Sequence, residues 1–299
     1  MVKAGIGESF GRAAKVRGLS PQLEMFYRLR RSPLSMIGGL IILVYALAAI
    51  FAPFIAPYDP AEQHWGDQLS PPSKKFLLGT DWYGRDILSR IIYGSRISLT
   101  IGVIAVGVGA LIGIPLGAIA GYAGGRVDEA VMRLMDIMLA FPSIILAIAI
   151  AATLGQSLHN LMIAVGIVFI PGYARITRGT TLSIKEQDFV EAAKAIGLTD
   201  RGIIAKHILP NCIPTIVVLM TLDMAVAILY GAGLSFLGLG AQEPTAEWGS
   251  MLAQGRRFLP EAWWASTFPG LAIMFAILGF NLLGDGLRDA LDPRLRGLV

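Results

Sequence analysis

Five stretches of the chain run with at most one formal charge, and their lengths predict helices rather than strands. Ser32–Tyr58 covers 27 residues, Ile97–Gly125 covers 29 and Ala262–Gly284 covers 23. Each exceeds the roughly 20 apolar residues with which a helix crosses a bilayer. Ile137–Ala174, at 38 residues, is too long for one crossing. The polar string Gly155-Gln-Ser-Leu-His-Asn160 divides it into two helices joined by a short hairpin. His207–Gln242 carries Asp223 as its single formal charge, and its section 213–235 supplies another helix. The pattern predicts an all-α membrane protein with six transmembrane helices. The first, 34–56, follows 33 residues and outlasts the roughly 7–15-residue apolar core of a signal peptide, so it is expected to stay in the protein.

Composition agrees. Hydrophobic residues make up 55% and charged residues 15%, with a mean hydropathy of +0.64. A soluble domain carries about 25% charged residues. A soluble globule, a disordered chain, a nucleic-acid-binding tail and a fibre are excluded. The lone Cys212 cannot form an intramolecular disulfide.

Lys and Arg fall unevenly between the spans. Segments 1–33, 122–133, 174–212 and 286–299 hold 18 of the 25, whereas 57–96, 155–160 and 236–265 hold 7. Loops rich in Lys and Arg stay in the cytoplasm, so both termini are expected inside. The predicted layout is a cytoplasmic segment 1–33, a first helix 34–56 and an extracytoplasmic segment 57–96. A five-helix core 97–287 with a cytoplasmic loop at 183–212 and a tail 288–299 complete it. Segment 57–96 is neutral, with five basic and five acidic residues, so the pI of 9.3 is mostly a topology signal.

Within the spans, Gly109, Gly113, Gly117 and Gly121 recur every fourth position, which leaves one helix ridge as bare backbone. Such a ridge admits another helix closely, and packing drives association inside lipid. The neighbour could belong to this chain or to another subunit. Pro115 lies within the row and is expected to kink the helix. Asp223 is the only acid well inside a span, where a carboxylate costs about 2.5–3.5 kcal/mol. It could line a substrate path and meet a cationic group, or pair with a polar group on a neighbouring helix. Asp136 and Asp285 sit near cytoplasmic span ends. No HExxH pattern occurs, no span carries a GxSxG pattern, and the three histidines lie in or beside aqueous segments, so no metal site, cofactor or intramembrane catalyst is expected. No Gly-Lys dipeptide occurs, so the chain has no Walker A loop for nucleotide.

The cytoplasmic loop 183–212 is the most structured of the polar segments. Ser183-Ile-Lys-Glu186 fits a capping box that would open a helix through Phe189, Glu191 and Ile196. Gly197 suits the left-handed position that ends a helix. A second short helix is expected from Thr199-Asp200 to His207, with Pro210 and Pro214 ahead of the fifth span. Read as residues alone, this is either a docking knob for a soluble partner or an interfacial amphipathic element.

Glu191-Ala192-Ala193, Gly197 and Leu209-Pro210 resemble the EAA loop of permease subunits in bacterial ABC importers, EAA-x3-G-x9-I-x-LP, with His207 standing where that pattern has Ile. Gly79-Thr-Asp81, Gly84-Arg-Asp86, Ser89-Arg90, Gly94-Ser-Arg96, Leu234–Gly240, Glu247-Trp-Gly249 and Asn281–Pro293 resemble the same family's peptide branch. Over residues 30–297 the chain resembles the C-type permease subunit of dipeptide/oligopeptide ABC importers. The resemblance implies the type I importer permease fold and a place in a bacterial cytoplasmic membrane. It also implies a sister permease, two cytoplasmic ATPase subunits that carry ATP hydrolysis, and an extracytoplasmic substrate-binding protein. Carried over, Glu191, Ala192, Ala193, Gly197, His207 and Pro210 would form the joint with the ATPase. The small alanines let a helix seat closely, Glu191 offers a charged contact and Gly197 permits a sharp turn. Within the family, nickel complexes, glutathione and D-amino dipeptides are alternative cargoes. A self-contained secondary transporter, against which the sparse intramembrane charge counts, and a membrane scaffold are the readings outside it.

Outside, Ile87, Leu88, Ile91 and Ile92 give Asp86–Ser95 one apolar face. The stretch reads as a short helix lying on the membrane or over the path, either a lid or receptor contact or a structural cap. The loop Glu243–Trp248 and the pair Trp263-Trp264 are expected at the outer interface.

Overall fold

A computed structural model describes residues 29–30 and 32–291. The expected segment 1–33, apart from its last few residues, and most of the tail 288–299 lie outside the described residues. Among the described residues the structure is helical, with no strand and one isolated antiparallel bridge between Thr80 and Asp86.

Helix α1 (Pro33–Ile55) starts at Ser32, whose hydroxyl accepts from the Ser35 N–H at 3.3 Å, with Pro33 in the first turn. Its side chains are apolar nearly all round, and Leu40, Ile50 and Phe54 point away from the protein, as lipid-facing residues do. An irregular segment then leads to α2 (Ile87–Ala123), which runs unbroken for 37 residues. The expected separate helix at 86–95 is instead the first turns of α2, capped by Asp86. The charges at Arg90 and Arg96 obscured that continuity in the sequence. Pro115 lies inside α2 without interrupting it.

Gly124 and Gly125, both at positive φ, turn the chain into α3 (Gly125–Leu139). Helix α4 (Ser143–Leu154) meets α3 at 90° across Ala140-Phe141-Pro142. Its 12 residues reach about 18 Å, short of a hydrocarbon core of about 30 Å. Among the described residues five helices are long and apolar enough to cross a membrane, and a sixth crossing exists if the bent pair counts as one. The third expected span is thus a broken element. Pro142 supplies no N–H to continue α3 and favours extended backbone before it.

The predicted hairpin follows. Gly155, at φ +95°, ends α4, and the Ser157 hydroxyl accepts from the Asn160 N–H at 3.1 Å to start α5 (Leu158–Ile184). The Asn160 amide donates to the Leu154 and Gly155 carbonyls, closing the turn. Two short helices, α6 (Asp188–Ala195) and α7 (Asp200–Ile203), lead through a π-turn at Ile204–Ile208 into α8 (Leu209–Phe236). After a loop come α9 (Trp248–Gly255) and α10 (Trp264–Leu291).

The most extensive helix contact joins α2 and α5. One apolar core gathers α2, α4, α5 and α8 around Ala105, Val165, Phe169 and Leu234. A second gathers α8, α9, α10 and the start of α2 around Ile228, Trp248, Met251 and Ala276. Helix α1 lies against α10, where a Cβ on Gly38 would come within 2.7 Å of the Gly279 carbonyl oxygen.

Candidate functional site

The loop between α5 and α8 forms a bent pair of short helices, as its sequence predicts, but it starts differently. Ser183 belongs to the last turn of α5, and Gln187 begins α6 without a side-chain cap. The capping box is absent because Thr181 and Ile184 are buried and keep α5 helical past Ser183. The end of α6 agrees with expectation. Gly197 has φ +85°, the Gly197 N–H donates to the Lys194 carbonyl at 2.9 Å, and the Leu198 N–H donates to the Ala193 carbonyl at 3.1 Å. This double closure is the Schellman arrangement. Thr199 then caps α7 by accepting from the Gly202 N–H.

The elbow presents two faces. Val190 and Ala193 are buried with Ile203, Ile208, Cys212 and Ile216, so the second alanine seats against the chain's own core. Glu191, Ala192 and Gly197 are exposed, as is Pro210, and His207 is half-buried beside the Phe189 ring. Two apolar residues of the predicted helix, Phe189 and Ile196, stand on the open face, the latter 78% exposed. Only the helix register shows that they point outward. The elbow is tied to the C-terminal end of α2. The Tyr122 hydroxyl donates to Asp200 at 2.8 Å, and the Lys185 ammonium donates to the Gly121 carbonyl at 3.2 Å. Lys194 lies over the Tyr122 ring.

The π-turn has a local cause. Pro210 has no N–H for the carbonyl four residues earlier, and its ring would crowd it. The wider turn lets the Leu209 N–H reach Ile204 instead, and the Asn211 amide takes up the His207 carbonyl at 2.6 Å.

The glycine row packs within the chain. A Cβ on Gly109 would lie 2.6 Å from the Phe169 Cβ, and one on Gly113 would lie 2.6 Å from the Ile170 carbonyl oxygen. Gly117 faces the Ala174 carbonyl and Gly121 faces Thr181, so all four lie on α5. Asp223, on α8, is half-buried. The fully buried Tyr173 of α5 sets its hydroxyl close to that carboxyl without a hydrogen bond between them. Asp136 pairs with Arg175 at 2.5 Å. Among the described residues no group of His, Cys, Asp or Glu is arranged to hold a metal.

At the opposite end of α2 from the elbow, the strings that looked like family signatures build one buried clasp. Asp81 accepts from the Tyr83 and Arg85 N–H groups around Gly84, which sits at φ +75°. Arg85, 2% exposed, donates to Asp81 at 2.7 Å, to Glu243 and to Gln254 at 3.2 Å. Burial alone would depress its pKa, but Glu243 and Asp81 more than offset that and hold the guanidinium above its ordinary value. Arg90 donates to the carbonyls of Pro60 at 2.9 Å and Pro244 at 3.3 Å, with Asp81 nearby. A buried cation survives only when paired in this way. Glu247 is fully buried and accepts from the Gly249 and Ser250 N–H groups, each at 2.8 Å, with the Ser98 and Ser235 hydroxyls close by. Trp248 donates to the Ile91 carbonyl at 3.0 Å and fits over Gly94. Segment 57–90 is therefore fixed to the loop before α9.

Comparison with known proteins follows the same lines. Residues 113–297 match the family described as the binding-protein-dependent transport system inner membrane component. Residues 20–72 match the N-terminal TM domain of oligopeptide transport permease C. The chain is 48% identical over 278 residues to the dipeptide transport system permease protein DppC of Alkalihalophilus pseudofirmus, covering 93% of this chain and 91% of that one. It is 44% identical over 274 residues to the probable D,D-dipeptide transport system permease protein DdpC of Escherichia coli K12, with 92% of each covered. It is 47% identical over 279 residues to the glutathione transport system permease protein GsiD of an Escherichia coli O6 strain, covering 93% and 92%. In fold it is similar to a chain of the MetNI methionine ABC transporter in an inward-facing conformation. The TM-score is 0.56 and the identity 19%, over 67% of this chain and 96% of that one. The chain belongs to the inner-membrane permease family of binding-protein-dependent ABC transport systems, in its oligopeptide-type C branch, and is a multi-pass inner-membrane protein.

Proposed function

We propose that this chain forms half of a transmembrane path for short peptides, paired with a sister permease and driven by two separate ATPase subunits. A substrate-binding protein delivers the cargo from outside. The observation that carries the reading is the agreement of relatives over more than nine-tenths of both chains, whose names cover dipeptides, D,D-dipeptides and glutathione. All three are short peptides with a free amino end, and Asp223 is assigned the polar point of the path that meets it. The α6–α7 elbow is assigned the ATPase joint. Its open face offers Glu191 and Ala192, flanked by Phe189 and Ile196, while Val190 and Ala193 root it in the protein. A push there reaches the inner end of α2 through Tyr122–Asp200 and Lys185–Gly121. Rigid-body displacement of packed helices then exposes the path alternately to each side.

The test uses the complex reconstituted in liposomes. Gly197→Pro, which removes the N–H of the Schellman closure and cannot adopt the positive φ, is expected to leave membrane insertion intact. ATP hydrolysis should continue while peptide uptake falls at least about tenfold. Uptake at the original rate would refute the joint.

A further inference from the structure

Helix α3 is held differently from its neighbours. It lies between two breaks in regular backbone. At one end Gly124 and Gly125 take φ of +66° and +52°, and a Cβ on either would meet nothing within 4 Å. Backbone conformation, not crowding, calls for glycine there. At the other end α4 departs at 90° across Ala140-Phe141-Pro142. Between these points Met135 is the one fully buried residue of α3, and with Met132 and Met138 it packs on Ile170 and Ala174 of α5. Methionine is unbranched and fills a contact without fixing one shape. The rest of the hold is charge. Asp128 and Asp136 of α3 pair with Arg178 and Arg175 of α5. The first pair is two-pronged and mostly covered. The second is single and half exposed, where an ion pair contributes little. The α2–α5 contact, by contrast, meets backbone at Gly113 and Gly117 and has no room to slide.

The charges also reach the elbow. Lys185 follows α5 and opens the link to α6. Its ammonium donates to the Gly121 carbonyl at 3.2 Å, just ahead of Gly124, and lies close enough to act on the Asp128 carboxylate. The Asp128 N–H in turn donates to the Gly124 carbonyl at 3.2 Å. One lysine on the elbow side thus bears on both flanks of the glycine break, and Asp128 stands between it and Arg178. We infer that α3 is a hinged arm that swings about Gly124-Gly125 and Pro142 against the rigid α2–α5 pair. Asp128 is the positioning residue through which the elbow moves it. The inference rests on the assignment of the elbow as the ATPase joint and names the element that this joint drives.

The test uses the full complex with its binding protein and peptide, in liposomes. Spin labels are placed at Glu129→Cys on α3 and Gly179→Cys on α5, both exposed, in a Cys212→Ala background. The distance between them is expected to differ by about 5 Å, one helix turn, between the nucleotide-free and vanadate-trapped states. Lys185→Ala should shrink that difference by more than half and lower the peptide moved per ATP by about fivefold while hydrolysis continues. Asp128→Arg alone should do the same. Combined with Arg178→Asp, it should recover to within about twofold of the parent, because the pair is restored with its charges exchanged. A merely structural role would change stability without changing the peptide-to-ATP ratio. Equal distances in the two states, in a parent that takes up peptide with ATP, overturn the inference and leave the joint standing. So does a folded double variant that stays uncoupled. If the double variant does not accumulate, Lys185→Ala decides, and full coupling in it overturns the inference. A parent complex that moves no peptide on ATP removes the joint reading, and this inference with it.

Discussion

A Cβ on Gly117 would strike the Ala174 carbonyl oxygen, whereas one on Gly172, on the outer side of α5, meets nothing within 4 Å. Backbone cannot step aside as a flexible side chain can. Gly117→Ala is therefore expected to destabilise the α2–α5 pair by about 1–3 kcal/mol, the usual cost of overpacking. Gly172→Ala should be neutral or slightly favourable, since alanine is the better helix former. Heating the detergent-solubilised protein and following the surviving monodisperse fraction distinguishes the two. The four-residue glycine period was legible in the sequence, but its partner was not, because the row is equally good for a neighbour in the same chain or another. Glu247 makes a second residue-scale prediction. Burial raises its pKa above the ordinary glutamate value of 4.5, more than its backbone and serine contacts lower it. A carboxyl with a raised folded pKa contributes stability that is present at low pH and lost as pH rises through the folded value. Thermal stability should thus fall as pH increases above 4.5, and Glu247→Gln should flatten that part of the profile.

Helix α1 shows how elements depend on one another. Pro53 has no N–H, so the Ala49 carbonyl loses its helical partner inside the membrane, where an unpaired carbonyl is costly. Arg96 of α2 donates to Ala49 and to Ile50, the latter at 2.9 Å. Arg96→Ala should therefore destabilise the protein more in the parent than in a Pro53→Ala background. A thermal-stability double-mutant cycle is expected to show a coupling of about 1 kcal/mol, and additive effects would exclude the link. Nothing near Pro53 in sequence announces Arg96, since the contact spans 47 residues. The same reason hid the outer clasp, where Arg85 and Glu243 are 158 residues apart. Local signals fared better where local forces decide. Gly155, Ser157 and Asn160 make their turn among themselves, and Gly197 ends α6 as its type suggests. They failed where packing overrides them. Ser183-x-x-Glu186 is a sound capping box, but buried Thr181 and Ile184 extend α5 through it. The break inside the third span was not legible for a related reason: apolar composition continues through Phe141-Pro142, whereas the backbone turns there.

At the scale of the whole molecule, the fold separates three tasks. A rigid α2–α5 pair, held by backbone-to-backbone packing, runs through the bilayer. An elbow at one end is rooted by Val190 and Ala193 and presents Glu191, Ala192, Phe189 and Ile196. A charge-paired clasp at the other end fixes segment 57–90 to α9. Hydropathy and the distribution of Lys and Arg made the membrane class and the number of apolar stretches legible. The EAA spacing made the family legible, because that motif is short and local. On the proposed reading, work is delivered at the elbow by a separate nucleotide-hydrolysing subunit and reaches the far end through the long helices. The most direct measurement is peptide uptake into proteoliposomes holding this chain, its sister permease and the binding protein, with and without the ATPase subunits and enclosed ATP. The account predicts uptake against a gradient only when both ATPase and ATP are present. Concentrative uptake by the permeases in their absence would contradict it.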